Sequence, residues 1–196
     1  MTKARTAILI SGRGSNMMAL VEAARAADFP ANIVCVLSNK ADAKGLAFAA
    51  ANGIATKVID NTAYPTREAY DAAIDAYLRS KDVEAVALAG FMRVLSADFI
   101  AGWDGRIINI HPSILPAYKG LHTHERAIAE GAKVAGCSVH MVTPELDGGP
   151  VLMQAEVPVL PGDTPDTLAA RVLKEEHKIY PQALAWLANR IIEERE

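Results

Sequence analysis

Two polar side chains close an otherwise apolar run in Ile107-Ile108-Asn109-Ile110-His111. Strand side chains alternate with a period of two, so Asn109 and His111 share one face and Ile108 and Ile110 the other. Burying an amide and an imidazole costs free energy unless both find partners, and a polar substrate is one such partner. Pro112-Ser113-Ile114-Leu115-Pro116 follows and enforces an extended exit that presents the pair. An amide N–H and an imidazolium N–H are the donors that a developing oxyanion needs, and an imidazole titrates near neutrality and can move protons. A satisfied structural histidine is the simpler reading of His111 alone. The third group is Asp147, in Glu145-Leu146-Asp147-Gly148-Gly149-Pro150. By itself an Asp before Gly is ordinary turn chemistry. Beside His111 it would favour the protonated ring and hold a proton-relaying water.

A second chemical locus is Ser11-Gly12-Arg13-Gly14-Ser15-Asn16, a glycine-rich turn between strand and helix, where free N–H groups and the helix's positive end favour an anion. Glycines also stand in such turns for their φ values alone. A dinucleotide fingerprint would have Gly or Ala where Met17 stands and an acid where Ser38-Asn39 stands, so an NAD site is disfavoured. Gly14, Ser15 and Asn16 suit a phosphate monoester instead, the two side chains adding donors to the backbone cradle. Glu176 falls on the same helical face as Val172 and Ile179, where a solvated charge is out of place, so it must meet something polar, either a ligand or a neighbouring Arg or Lys.

The elements that must position these groups alternate. Strand signals cover Thr6 to Ile10, Ile33 to Leu37, Thr56 to Ile59, Val83 to Ala89 and Arg106 to Ile110, with helical stripes between them. Ser15 is expected to cap the first helix (Met17, Leu20, Val21, Ala24) and Thr66 another (Tyr70, Ala73, Ile74, Tyr77, Leu78). This order implies an α/β fold with a doubly wound, mostly parallel sheet, helices on both faces and sites at the strands' carboxyl ends. Gly136 to Val142 and Val151 to Val157 suggest an added C-terminal hairpin. A long helix follows, capped by Thr164-Pro165, with a stripe of Leu168, Val172, Ile179, Ala183 and Leu187 and a kink near Pro181. No repeat, linker or composition break divides residues 1–196, which read as one domain.

Composition excludes several classes of function. Apolar residues make up 51%, enough for a sizeable core, and 20 Lys+Arg against 23 Asp+Glu without a basic run give no nucleic-acid footprint. No stretch approaches a membrane span or an export signal, so a cytoplasmic protein without membrane contact is expected, a monomer or weak homodimer. Cys35 and Cys137 lack metal or redox spacing and read as buried free thiols, and no tetrahedral metal ligand set is visible.

Taken together, Gly14-Ser15-Asn16, Ala89-Gly90-Phe91-Met92-Arg93, Asn109-Ile110-His111-Pro112-Ser113 and Leu146-Asp147-Gly148-Gly149-Pro150 closely resemble the folate-dependent formyltransferase and deformylase superfamily, in order and in spacing. Gly120-Leu121-His122-Thr123-His124 and Glu176-His177-Lys178-Ile179-Tyr180-Pro181 extend the likeness over the whole chain, and it is strongest to the branch that acts on glycinamide ribonucleotide. Branches acting on methionyl-tRNA or hydrolysing formyltetrahydrofolate share the catalytic segment but carry an extra domain, for which the expected length leaves no room. The resemblance implies transfer of a formyl group from 10-formyltetrahydrofolate, a cosubstrate, to the nucleotide's amine in purine biosynthesis, without a metal. It further implies Asn109, His111 and Asp147 as catalytic residues; Gly14, Ser15, Asn16 and Glu176 (to a ribose hydroxyl) on the nucleotide; and Met92, Arg93, Val94, Leu95, Asn109 and His140 on the folate. His122 supports the site or its loops, and His124 has no assigned role. The N-terminal half would bind nucleotide phosphate and the C-terminal half folate. A cis Leu115-Pro116 bond is also implied. Because Gly148 and Gly149 follow Asp147, residues 144–150 are expected to move with pH or folate. A non-catalytic phosphate-binding module would need the loop but not the Asn, His and Asp together.

Overall fold

In the computed structural model, which describes residues 2–195, seven strands form one sheet in the order β3-β2-β1-β4-β5-β6-β7. The strands are β1 (Ala4–Ile10), β2 (Ala31–Ser38), β3 (Ala55–Val58), β4 (Ala85–Leu88), β5 (Ile107–His111), β6 (Val134–Met141) and β7 (Val151–Pro158). The first five are mutually parallel, and β6 and β7 are added antiparallel to β5. Between them lie α1 (Ser15–Ala24), α2 (Gly45–Ala51), α3 (Arg67–Ser80), α4 (Ala97–Gly102), α5 (Thr123–Ala129) and α6 (Pro165–Glu193). The expected doubly wound sheet with a C-terminal hairpin and long helix is therefore present. β1 and β4 flank the point where the winding reverses, so the loops after them part there and leave a crevice.

Each face buries its own core. On one side Met17, Leu20 and Val21 of α1 and Leu168, Val172, Tyr180, Leu184 and Leu187 of α6 cover Ile8, Ile10, Ile108 and Ile110. On the other, Tyr70, Ile74 and Leu78 of α3 and Phe99 and Ile100 of α4 cover Ala7, Leu9, Val86 and Ile107. The strand period of two thus operates in β5 as read from the sequence: Ile108 and Ile110 face α6, and Asn109 and His111 turn the other way.

Helix starts follow local chemistry, with one correction. Thr66 Oγ1 accepts from Ala69 N at 3.1 Å, and Thr164 and Thr167 form a reciprocal capping box ahead of Pro165. Ser15, expected to cap α1, is instead its first helical residue. The cap is Gly14 at φ 72°, without a side-chain bond, because only glycine takes that left-handed turn freely. Gly45 packs against this loop: a Cβ there would lie 3.1 Å from Arg13 O and 2.6 Å from Ile10 Cδ1. The helix α6 continues through Pro181 without a break. Sequence patterns did not resolve the short α4 and α5.

Tyr180 ties α6 to the sheet beneath the crevice. Its fully buried hydroxyl donates to Leu88 O, the last residue of β4, at 2.7 Å, with Ile108 O of β5 at 3.3 Å. We expect Tyr180→Phe to leave the fold intact but to lower unfolding free energy by about 1–3 kcal/mol, the cost of an unpaired buried carbonyl. Urea denaturation checks this, and an unchanged midpoint would rule out the anchoring role.

Candidate functional site

The carboxyl ends of β4 and β5, with His140 of β6 and the loop that follows β6, form a cleft of about 580 Å³ lined by Asn109, His111, His140 and Asp147. Its walls are mostly apolar, with Phe91, Met92, Val94, Leu95, Ile100, Val142, Leu121 and Leu146 around the polar floor. Met92, Val94, Leu121 and Leu146 are exposed at its mouth, an apolar rim of the kind that marks a binding site. A second depression, at the other end of the sheet, is lined by Lys3, Arg5, Arg79, Glu84 and Arg195. Its cations already serve structure: Arg5 donates to Lys81 O, Arg79 to Gly102 O and Arg195 to Thr2 O.

The sheet register sets the floor. Asn109 lies opposite His140, and His111 opposite Ser138. His140 Nδ1 is 2.9 Å from Met141 O, an acceptor only, so that nitrogen carries the hydrogen and the neutral ring has a bare Nε2. Asn109 Nδ2 lies 3.2 Å from that Nε2 and donates to it, which leaves the second amide hydrogen of Asn109 for a ligand. His111 Nε2 likewise faces a carbonyl, Tyr118 O, at 2.9 Å and must donate. Its other nitrogen, Nδ1, is 3.4 Å from Asp147 Oδ2, so a second proton there makes an ion pair. The expectation of a freely donating imidazolium is thereby narrowed to Nδ1 as the nitrogen that takes up and gives proton.

The side chain of Asp147 is only 7% exposed and sits between both histidines, with Oδ1 3.5 Å from His140 Nε2. Its backbone takes φ 48°, a left-handed value tolerated by Asp and disfavoured by most residues. Burial alone would raise its carboxyl pKa. The Gly120 N–H bond at 2.9 Å, together with the adjacent His140 and His111 rings, whose protonated forms favour the carboxylate, outweighs burial, and the net shift is downward. The two glycines that follow serve packing: a Cβ on Gly149 would stand 1.8 Å from Met141 O, and one on Gly148 2.3 Å from Glu145 Cδ. Neither glycine has a positive φ. In this structure the positive φ falls on Asp147 itself.

The glycine-rich loop lies at the same end of the sheet. Asn16 Nδ2 donates to Glu176 Oε2 at 2.6 Å, and Asn16 Oδ1 is buried without a partner. Glu176 is buried and meets this amide; desolvation raises its pKa against the lowering effect of the Asn16 bond. One Asn16 donor expected for phosphate is thus committed to Glu176. Met92, Arg93, Val94 and Leu95 line the cleft as expected. His122 stands at its mouth, 3.6 Å from Glu125 and largely exposed, while His124 is half-buried, its pKa lowered by desolvation. Leu115-Pro116 is cis. Cys35 and Cys137 are buried and free.

Sequence reading missed Tyr118 O and the Gly120 N–H, main-chain groups that no side-chain pattern reports. It also missed Ser138, which the period of two from His140 could have found.

Comparisons with known proteins identify the family. Residues 4–184 match the formyl transferase family. The chain is 48% identical to the phosphoribosylglycinamide formyltransferase of Escherichia coli (strain K12), over 93% of this chain and 86% of the relative. It is also 48% identical to the trifunctional purine biosynthetic protein adenosine-3 of Bos taurus, covering 95% of this chain but spanning only 18% of that longer protein. The crystal structure of phosphoribosylglycinamide formyltransferase from Brucella melitensis superposes with a TM-score of 0.92 at 56% identity, over 95% of this chain and 96% of that one.

The downward shift of Asp147 has a definite sign in stability. A carboxyl with a depressed folded pKa contributes stability that is full above the unfolded value, about 3.9, and is lost as pH falls through the folded value. The stability gap between wild type and Asp147→Asn should therefore shrink as pH is lowered from about 5 to about 2. Urea titrations across that range read it, and a gap independent of pH would refute the assignment.

Proposed function

The chain belongs to the formyl transferase family, and from that premise we propose that its formyl acceptor is the amine of glycinamide ribonucleotide and its donor 10-formyltetrahydrofolate. It is a one-carbon transferase of purine biosynthesis. The observation that carries the reading of its site is the convergence of Asn109, His111 and Asp147 on the floor of one apolar-walled cleft. In this reading the N-terminal half, through Gly14, Ser15, Asn16 and Glu176, holds the nucleotide. The C-terminal half supplies the folate pocket and the chemistry. Among the described residues no helix is long and apolar enough to cross a membrane. The location we propose, as for a purine biosynthetic enzyme, is the cytoplasm. The oligomeric state we favour is a monomer or weak homodimer.

The nucleotide's amine attacks the formyl carbon, the carbonyl π electrons move to oxygen, and a tetrahedral oxyanion forms. Asn109 offers its free amide N–H to that oxygen, and a donor of this kind lowers the barrier by about 3 kcal/mol. His111, protonated on Nδ1 beside Asp147, offers the second positive dipole. Collapse breaks the bond to the folate nitrogen, which must gain a proton while the new ammonium loses one. The Nδ1 of His111 is placed for that exchange, because Nε2 is fixed on Tyr118 O and Asp147 stabilises the charged ring. The residues supply no cluster of three metal ligands among those described, and none of these steps uses a metal.

The decisive assay mixes 10-formyltetrahydrofolate with glycinamide ribonucleotide and follows the formylated nucleotide; formate released instead would indicate hydrolysis. His111→Ala and Asp147→Asn should each lower kcat by at least about 100-fold with native circular dichroism. Near-normal turnover in either variant removes its assigned role. Replacing Ser15 and Asn16 together by Ala should raise the nucleotide KM about tenfold or more and leave the folate KM nearly unchanged. An unaltered nucleotide KM would move the phosphate elsewhere.

A further inference from the structure

Beyond β5 the chain folds back over β6 and β7 as residues 112–118, outside the sheet ladder, and its main-chain groups must find partners elsewhere. They find two side chains. Ser138 Oγ donates to Ser113 O at 2.7 Å and accepts from Leu115 N at 3.0 Å. Gln154 Nε2, on the edge strand β7, donates to Leu115 O at 2.9 Å and to Ser138 Oγ at 2.9 Å. Both hydrogens of the Gln154 amide are thus committed, and Ser138 has one bond donated and two accepted. Ser113 Oγ closes the loop on Ala117 O at 2.6 Å. The next carbonyl, Tyr118 O, is the one that His111 Nε2 meets.

The register makes this a line. His111 pairs with Ser138, and Ser138 with Gln154, so the three form one cross-strand row with the loop laid across it. The approach is close: a Cβ on Gly136 would lie 3.0 Å from Ile114 Cγ1 and 2.0 Å from Ala155 O. We propose that Gln154 is a positioning residue for formyl transfer, holding the 113–118 loop so that Tyr118 O keeps the hydrogen of His111 on Nε2 and leaves Nδ1 to Asp147. Gln154 does not line the cleft and touches no reacting atom. Without its two bonds Leu115 O loses its donor and Ser138 one of its three partners. Tyr118 O then drifts, and the neutral ring is free to place its hydrogen on Nδ1, the wrong nitrogen for accepting a proton there.

Gln154→Leu keeps the length and removes both donors; Gln154→Glu keeps the shape and sets acceptors against acceptors. Each should lower kcat by about ten- to a hundredfold, with KM for both substrates within about twofold, because misplacement without loss of binding acts on the chemical step. Nitrogen-15 spectra of the His111 ring should show a single Nε2–H form in the wild type at high pH and a mixture in both variants. The acid limb of the kcat profile should move with them. A loss of kcat that merely tracks the folded fraction, with unaltered ring spectra, would overturn the proposal, as would unchanged kcat in both variants. The inference rests on the formyl-transfer reading for its rates alone. The ring spectra need no substrate, so they decide it separately from that reading.

Discussion

A carboxylate held out of water beside two imidazoles constrains everything around it. Asp147 is buried, and an isolated charge there would neutralise itself by taking up a proton. It stays an anion because Gly120 N–H donates to it and both histidines stand within reach. Each of those partners must in turn be fixed. His140 is held by Met141 O, His111 by Tyr118 O, and Gly120 by a loop whose φ of 80° at that residue favours glycine. A carboxylate able to charge His111 on one nitrogen therefore requires a carbonyl holding the other.

The antiparallel extension of the sheet supplies this arrangement. A further parallel strand could pair with β5 only after a crossover connection of a dozen or so residues. β6 instead runs back against β5 and sets His140 and Ser138 opposite Asn109 and His111 on the same face. The loop that follows β6 then returns Asp147 to the same place. Tyr180, from the helix on the opposite face, ties the end of β4 to β5 from below. Backbone order at the floor thus comes from both layers, while the rim is built from loops.

Much of this was legible before any coordinates. The period of two in β5 placed Asn109 with His111, the alternation of strands and helices gave the doubly wound sheet, and burial of Glu176 among Val172 and Ile179 called for a polar partner. That partner is Asn16, a residue of the other half of the chain, and no local pattern could pair positions so distant in sequence. Ser15 misled because serine is the usual cap when the preceding residue is not already in a left-handed turn; Gly14 is. The Gly148-Gly149 pair has a second use that sequence does not report. Glycine is read from sequence as freedom, but here it answers a carbonyl that leaves no room for a Cβ. Short helices such as α4 and α5 carry too few turns to show a stripe.

Polar floor and apolar rim divide the work of catalysis between them. Exposed Met92, Val94, Leu121 and Leu146 would be a solubility liability on a surface with nothing to cover them. The aromatic part of the folate cosubstrate would cover such a rim, and burial of apolar surface there contributes binding free energy in proportion to the area removed from water. That contribution does not itself accelerate the reaction, since it is present before and during the chemical step. Its effect is to hold the formyl carbon against donors that are already oriented, so that the only groups changing charge are the amine, the folate nitrogen and the His111 ring. The floor therefore has to be rigid and the rim does not. Side-chain and main-chain bonds are accordingly concentrated on His111, His140 and Asp147, and the rim residues are left to packing alone.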